Sequence, residues 1–252
     1  MTAADLQLAG ELVRAAGELA ATMRRDGVTV TRKTSISDIV TPADTAAEEL
    51  VVARLVAERP EDGIVAEEGA RRPGRRTWFV DPVDGTYNYV SGLATWCAAV
   101  ALVDGETLEL GAVFEPSSGE LFTGGPDART TVNGVPVPPL ARRRLAEVSV
   151  ATYLHPSSSL SNAAVREPMI DVLRPAASVR MLGSGSMELA AVAAGRIGVY
   201  VQTDCLPWDW LPGRALVEGA GGRTEVVERG GHRWHIAGNA TAVADVLSIL
   251  DP

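Results

Sequence analysis

Residues 78–92 read WFVDPVDGTYNYVSG, with Asp81 and Asp84 at the end of an apolar run and just before Gly85-Thr86. Trp78-Phe79-Val80 has a strand's composition, so the Asp81 carboxylate is expected at the carboxyl edge of a sheet. Pro82 stiffens the step to Asp84. Gly85-Thr86 then open a turn or short helix whose first N–H groups lack intrahelical acceptors. Such N–H groups suit a phosphate. Hard cations such as Mg²⁺ take carboxylate, carbonyl, water and phosphate oxygens. Asp81, the Val83 carbonyl and Asp84 are therefore candidate ligands for one ion or a bridged pair. The same D-P-x-D-G run is also sound turn chemistry, with proline and glycine at favoured places. Taken alone, it satisfies both readings.

Further acidic stations stand elsewhere in the chain. Glu67-Glu68 end the apolar run Gly63–Ala66, Asp44 lies in TPAD, and Asp209 lies in PWDWLPG. Each has a plain structural use. Glu67-Glu68 suit a solvated strand end, Asp44 suits the acid of a capping box begun by Thr41, and Asp209 suits an N-cap. Their joint occurrence points instead to one carboxylate cluster. His155, His232 and His235 are scattered without metal-ligand spacing and read as structural or surface residues. Lys33, in RKTSISD, reads as a solvated cation.

The elements that must position these groups are visible as periodicities. Leu6, Ala9, Leu12, Val13, Ala16, Leu19, Ala20 and Met23 recur at helical spacing. A second helix is expected from Thr41 as N-cap with Pro42 in its first turn. Strands are expected at 63–66 and 77–80. A meander from Trp96 to about Thr123 and a hairpin at Asn133-Gly134 follow. Beyond residue 146 come a strand at 147–152, a polar loop at 155–162, a helix at 164–173 and a strand around 178–182. A helix capped by Ser184 and ended by Gly195 follows, then the strand IGVYVQ, a helix after Trp208, a strand pair, and a helix near 242–250. This mixture suggests layered α+β architecture. The Pro-rich stretch at 135–144 marks a candidate seam between an N-terminal half, 1–140, and a C-terminal half, 141–252, within one compact unit.

The 252 residues are 46% hydrophobic and 22% charged, enough to bury a full core. The net charge of −9 speaks against a nucleic-acid or anionic-membrane partner. It leaves room for a small anionic substrate, because a bound divalent cation reverses the local sign. The only cysteines, Cys97 and Cys205, suggest a reducing, cytoplasmic setting. The first twenty residues lack the pattern of a signal peptide, and no apolar run reaches the ~18 residues that span a bilayer.

Taken in order, DIVTPAD (38–44), AEEG (66–69), DPVDGTYNYVSG (81–92), LGSGSMELAAVAAGRIGVYV (182–201) and WDW…EGAGG (208–222) resemble the inositol monophosphatase family. These are Mg²⁺-dependent, lithium-sensitive phosphomonoesterases, and the similarity spans nearly the whole chain. The resemblance implies an αβαβα sandwich of the inositol monophosphatase and fructose-1,6-bisphosphatase type, and a homodimer. It implies two or three Mg²⁺ ions held by Glu67, Asp81, the Val83 carbonyl, Asp84 and Asp209. Asp44, Thr86 and Glu67 fall on catalytic positions, with the Asp44–Thr86 pair orienting and deprotonating the attacking water. Gly85 and Thr86 fall on phosphate-binding positions, and Asp84, Ser184 and Gln202 on substrate-facing ones.

The substrate end departs from the family pattern. Gln202 stands where inositol-specific members usually carry a glutamate that contacts a sugar hydroxyl. WDWLPG replaces a run of small residues, so Trp210 and Leu211 are expected to reshape the pocket wall, with Pro212 in the first turn of the helix. Inositol 1-phosphate is the first candidate substrate. Histidinol phosphate, another sugar phosphate, or a non-catalytic phosphoester-binding role are the alternatives.

Overall fold

The computed structural model describes residues 2–27, 29–32 and 39–251; Lys33 lies outside them. Helix α1 (Ala3–Arg25) turns Leu8, Leu12, Val13, Ala16 and Ala20 inward, the buried stripe that its periodicity demands. The short ladder of β1 (Thr31–Arg32) and β2 (Ile39–Val40) leads into α2 (Pro42–Glu58). As expected, Thr41 is the N-cap, Pro42 sits in the first turn and Asp44 closes a capping box. Such a cap contributes about 1 kcal/mol. Here it also freezes the Asp44 carboxylate in place.

The first sheet comprises β3 (Gly63–Ala66), β4 (Arg71–Arg72), β5 (Arg76–Asp84) and, after the one-turn α3 (Thr86–Val90), five further strands. These are β6 (Cys97–Asp104), β7 (Thr107–Glu115), β8 (Glu120–Gly125), β9 (Ala128–Val132) and β10 (Val135–Pro136). Their order is β10-β9-β8-β7-β6-β5-β3-β4. The expected meander is present. Asn133 and Gly134 form the β9–β10 turn with φ of 49° and 79°, as a two-residue primed turn requires. β3 and β5 run parallel, pairing Ala66 with Val80. Glu67 and Asp81 therefore emerge side by side at one sheet edge. β5 is longer than expected and carries a register shift between Asp81 and Asp84, a bulge that re-aims side chains.

The second sheet is built from β11 (Ser149–Ala151), β12 (Ser178–Arg180), β13 (Val199–Thr203), β14 (Arg223–Arg229) and β15 (His232–Gly238), ordered β12-β11-β13-β15-β14. The helices α4 (Ala163–Leu173), α5 (Gly185–Ala193) and α6 (Pro207–Gly219) are threaded between these strands, and α7 (Ala240–Leu250) follows the last. Three buried clusters define the layers. One joins α1 and α2 to the eight-stranded sheet, one packs α5 and α6 between the sheets, and one seats α4 and α7 on the outer face of the second sheet. The chain is thus the expected αβαβα sandwich.

Several expectations need correction. The strand expected at 147–152 is only Ser149–Ala151, preceded by a 3₁₀ turn at Leu145–Glu147. The one expected to reach 182 stops at Arg180, and the Leu182 N–H donates to Glu188 Oε1 instead. Ser184 stands at the N-cap of α5, yet its hydroxyl makes no capping bond. Pro207 starts α6 early, so Pro212 lies in the helix interior rather than the first turn. That earlier start also rotates Trp210 and Leu211 into the apolar layers. Trp210 is buried against Tyr200 and His235 and does not line the pocket as expected.

Candidate active site

A cavity of about 300 Å³ opens where the carboxyl end of β5 meets the amino end of α5. Glu67, Asp81, Val83, Asp84, Gly85, Thr86, Ser184, Gln202 and Asp209 all line it. Asp44 lies directly behind, fully buried. Every sequence-predicted site residue is therefore at or against this one cavity.

The carboxylates converge. Asp81, Asp84 and Asp209 each offer an oxygen within 4.8 Å of the others'. Glu67 lines the same cavity beside them. Burial pushes the Asp81 carboxyl well above the usual carboxylate range, and the charges of Glu67, Asp84 and Asp209 push it further. Asp209 is raised the same way, by burial and then by Asp84 and Glu67. Burial also raises Asp84, although the Ser186 N–H donates to its Oδ2 at 2.6 Å. That N–H belongs to the first turn of α5, an end suited to negative charge. No Lys or Arg lines the cavity among the described residues. A crowded, all-oxygen, uncompensated set of this kind fits hard divalent cations such as Mg²⁺.

Opposite this cluster stands a hydroxyl–carboxylate pair. Thr86 Oγ1 lies 3.0 Å from both Asp44 Oδ1 and the Val83 carbonyl, so its single proton has two acceptors. Asp44 Oδ2 accepts from the Thr41 N–H at 2.9 Å and from its hydroxyl at 2.5 Å. Burial raises the Asp44 carboxyl despite these bonds. Gly85 makes the turn between β5 and α3 at φ +92°, where a Cβ would press on the Gly183 carbonyl at 3.1 Å. Only glycine fits both the left-handed backbone and that approach.

Some contributors were not singled out from the sequence. Glu48, one turn after Asp44 in α2, accepts from the N–H groups of Glu68 at 2.7 Å and Ala70 at 2.9 Å, holding the turn that carries Glu67. Asn88 Nδ2 donates to the carbonyls of Leu182 at 2.6 Å and Thr95 at 2.7 Å, tying α3 to the approach to α5. Glu188, buried in α5, holds Leu182 from the other side. The available signal was spacing: Glu48 follows Asp44 by four residues on one helix face. Ser184 Oγ lies 3.5 Å from Cys97 Sγ. Gln202 Oε1 accepts from the Tyr200 hydroxyl at 2.7 Å.

Known proteins share both sequence and shape. A family model described as the inositol monophosphatase family matches residues 3–246. The Nus factor SuhB of Pasteurella multocida is 31% identical over 258 residues, covering 98% of this chain and 96% of that protein. The inositol-1-monophosphatase of Rhizobium meliloti is 31% identical over 198 residues, covering 77% of this chain and 74% of its own. The crystal structure of the extragenic suppressor protein suhB from Bartonella henselae superposes with a TM-score of 0.90 at 25% identity, covering 99% of each chain. The matched family spans the fold and the cavity alike, and the chain belongs to the inositol monophosphatase family of phosphoric monoester hydrolases.

Proposed function

We propose that this chain is a Mg²⁺-dependent phosphatase of small polyol or sugar-like monophosphates, with inositol 1-phosphate the first candidate and histidinol phosphate or another sugar phosphate the alternatives. The observation that carries this reading is the convergence of Asp81, Asp84 and Asp209 oxygens across from the Thr86–Asp44 pair. Glu67, Asp81, the Val83 carbonyl, Asp84 and Asp209 would hold the cations. When bound, these supply Lewis acidity, a lowered pKa for water and charge neutralisation at the phosphoryl group.

The remaining work is positioning and proton handling. Thr86 Oγ1 would accept a hydrogen bond from the attacking water. Asp44 Oδ1 is one of the two acceptors within reach of its proton, so a proton leaving the water would pass through the hydroxyl to that carboxylate. Burial favours the protonated form of Asp44 and so eases the transfer. The first-turn N–H groups of Gly85 and Thr86 would orient the phosphoryl oxygens. Ser184 and Gln202 would face the alcohol. Most of the proposed ligands lie in residues 1–140, and residues 141–252 contribute Asp209 and the pocket wall.

Among the described residues no helix is long and apolar enough to cross a membrane. Cys97 and Cys205 are both free, which supports a cytoplasmic setting. The family resemblance is the one support for a homodimer. Several relatives bear the name Nus factor, but the net charge of −9 favours a small phosphorylated substrate over nucleic acid. Phosphate release from a panel of monophosphates, with and without Mg²⁺ and with added Li⁺, tests the reading. Mg²⁺-dependent release inhibited by Li⁺ is expected. Full activity of Asp84→Asn would overturn the ligand assignment.

A further inference from the structure

A second cavity, about 440 Å³, adjoins the first, and Tyr153 and Gln202 line both. Its floor is a hydrogen-bonded chain of three side chains. Asn162 Oδ1 accepts from the Ala164 N–H at 3.0 Å, which turns its amide nitrogen toward His232 Nε2, 2.9 Å away. That nitrogen is a donor, so Nε2 is the acceptor and the ring proton sits on Nδ1. Nδ1 in turn faces Asp204 Oδ2 at 2.5 Å, and the Arg233 N–H donates to Oδ1 at 3.0 Å. Asp204 is the one carboxylate that lines this cavity among the described residues.

Asp204 is also conspicuous in its backbone, with φ of +54° in the left-handed region. Outside glycine such a conformation costs on the order of 1 kcal/mol and persists where the surroundings impose it. The side chain stays about half exposed, at 51%. Each of its oxygens accepts one of these bonds, and a carboxylate oxygen has a second lone pair to offer. Among the described residues no Lys or Arg lines either cavity. A second phosphate or a carboxylate on the substrate would find no Lys or Arg partner there and would be repelled by Asp204.

We propose that this second cavity is the distal half of the substrate site and takes the far end of the leaving alcohol. Asp204 selects an alcohol that ends in a cationic nitrogen with N–H donors, an amine or a protonated ring. The inference rests on the phosphatase reading of the first cavity. It adds a reason why Gln202, at the junction, is neutral: a second carboxylate there would hold the cation short of Asp204.

The test compares phosphate release from ω-aminoalkyl phosphates of increasing chain length with release from the matched alkyl phosphates, in Mg²⁺. The wild-type chain is expected to favour the amine by about fivefold in kcat/KM at the length that reaches Asp204, the scale of a partly exposed ion pair. That preference should shrink as salt is raised. In Asp204→Asn the amine-to-alkyl ratio should fall to near unity. Asparagine tolerates the left-handed backbone, and an unchanged melting temperature would confirm that the variant folds. Release without amine preference, or a preference that survives Asp204→Asn, overturns the distal subsite alone. No release from any ester overturns the phosphatase reading and the subsite with it.

Discussion

The two walls of the site are built differently. On the β5 side, Asp44, Asp81 and Asp84 are 0%, 2% and 7% exposed. They are pinned by backbone N–H groups from Thr41, Val83 and Ser186. On the β13 side, Tyr153 and Gln202 are half-buried, Asp204 is exposed, and three side-chain-to-side-chain bonds stand beside the backbone N–H groups of Arg233 and Ala164. The first wall draws its geometry from a capping box, a bulged strand and the start of α5. The second draws it from a strand end and loops. Groups that must meet reacting atoms sit where the backbone leaves no freedom, and groups that sort leaving alcohols sit where exchange is cheap.

The largest effect should come from breaking the first wall at its charge. Asp209→Asn is expected to lower kcat/KM by about 10³-fold, as loss of a ligand or preorganised charge does. The same change should raise the melting temperature of the metal-free protein by about 2–4 °C, because it removes a like charge beside Asp81 and Asp84. Phosphate-release assays and thermal melts in chelator read both. A melting temperature that falls would mean that the three carboxylates do not repel one another, and the contrast between the walls would lose its basis.

A second-rank effect should follow at Glu48, which touches no substrate. Glu48→Gln replaces one acceptor oxygen by an amide NH₂, leaving the Glu68 or Ala70 N–H unpaired. The expected costs are about 1–3 kcal/mol of stability and about 10- to 100-fold in activity through misplacement of Glu67. Denaturant unfolding and steady-state kinetics would measure them. If the loss is confined to stability, the Glu67 turn does not depend on α2.

Glu188 sharpens the comparison through pH. Burial, reinforced by the charge of Asp84 and opposed by the N–H groups of Leu182 and Gly183, pushes its carboxyl up to about 8 from 4.5. A raised folded pKa contributes stability that is complete below 4.5 and disappears as pH rises through 8. Wild type minus Glu188→Gln should therefore show a stability difference that declines across that window, because glutamine does not titrate. Thermal melts of both proteins at a series of pH values test it. A difference that stays constant with pH would mean that Glu188 ionises normally.

Much of the first wall was legible in the chain because its parts are local. Thr41-Pro42 and Asp44 announce a helix start, and D-P-x-D-G announces a turn full of oxygen ligands. The stripe of α1 declares its own buried face. What escaped is long-range. Glu48 and Glu188 look like solvated helix acids, and only tertiary packing turns them onto N–H groups of distant turns. Asp209 looked like an N-cap because nothing local shows that α6 starts at Pro207. The same shift sent Trp210 into the core instead of the pocket wall. The second cavity was invisible because the 155–162 loop has no periodicity, and its partners Asp204 and His232 lie on other elements.

The smallest effect belongs to the second wall itself. Gln202 Oε1 accepts the Tyr200 hydroxyl, and the rest of the amide faces the junction of the two cavities. In Gln202→Glu the carboxylate keeps that acceptor and exchanges an NH₂ donor for a charged acceptor. Hydrogen bonds to a charged group are stronger than neutral ones by about 1 kcal/mol, so KM for a polyol monophosphate should fall about fivefold with kcat nearly unchanged. The preference for an amine-ended alcohol should weaken, because the cation is then intercepted before it reaches Asp204. A large fall in kcat would instead place residue 202 within the reaction wall, and the division between a rigid chemical side and an adaptable sorting side would have to be redrawn.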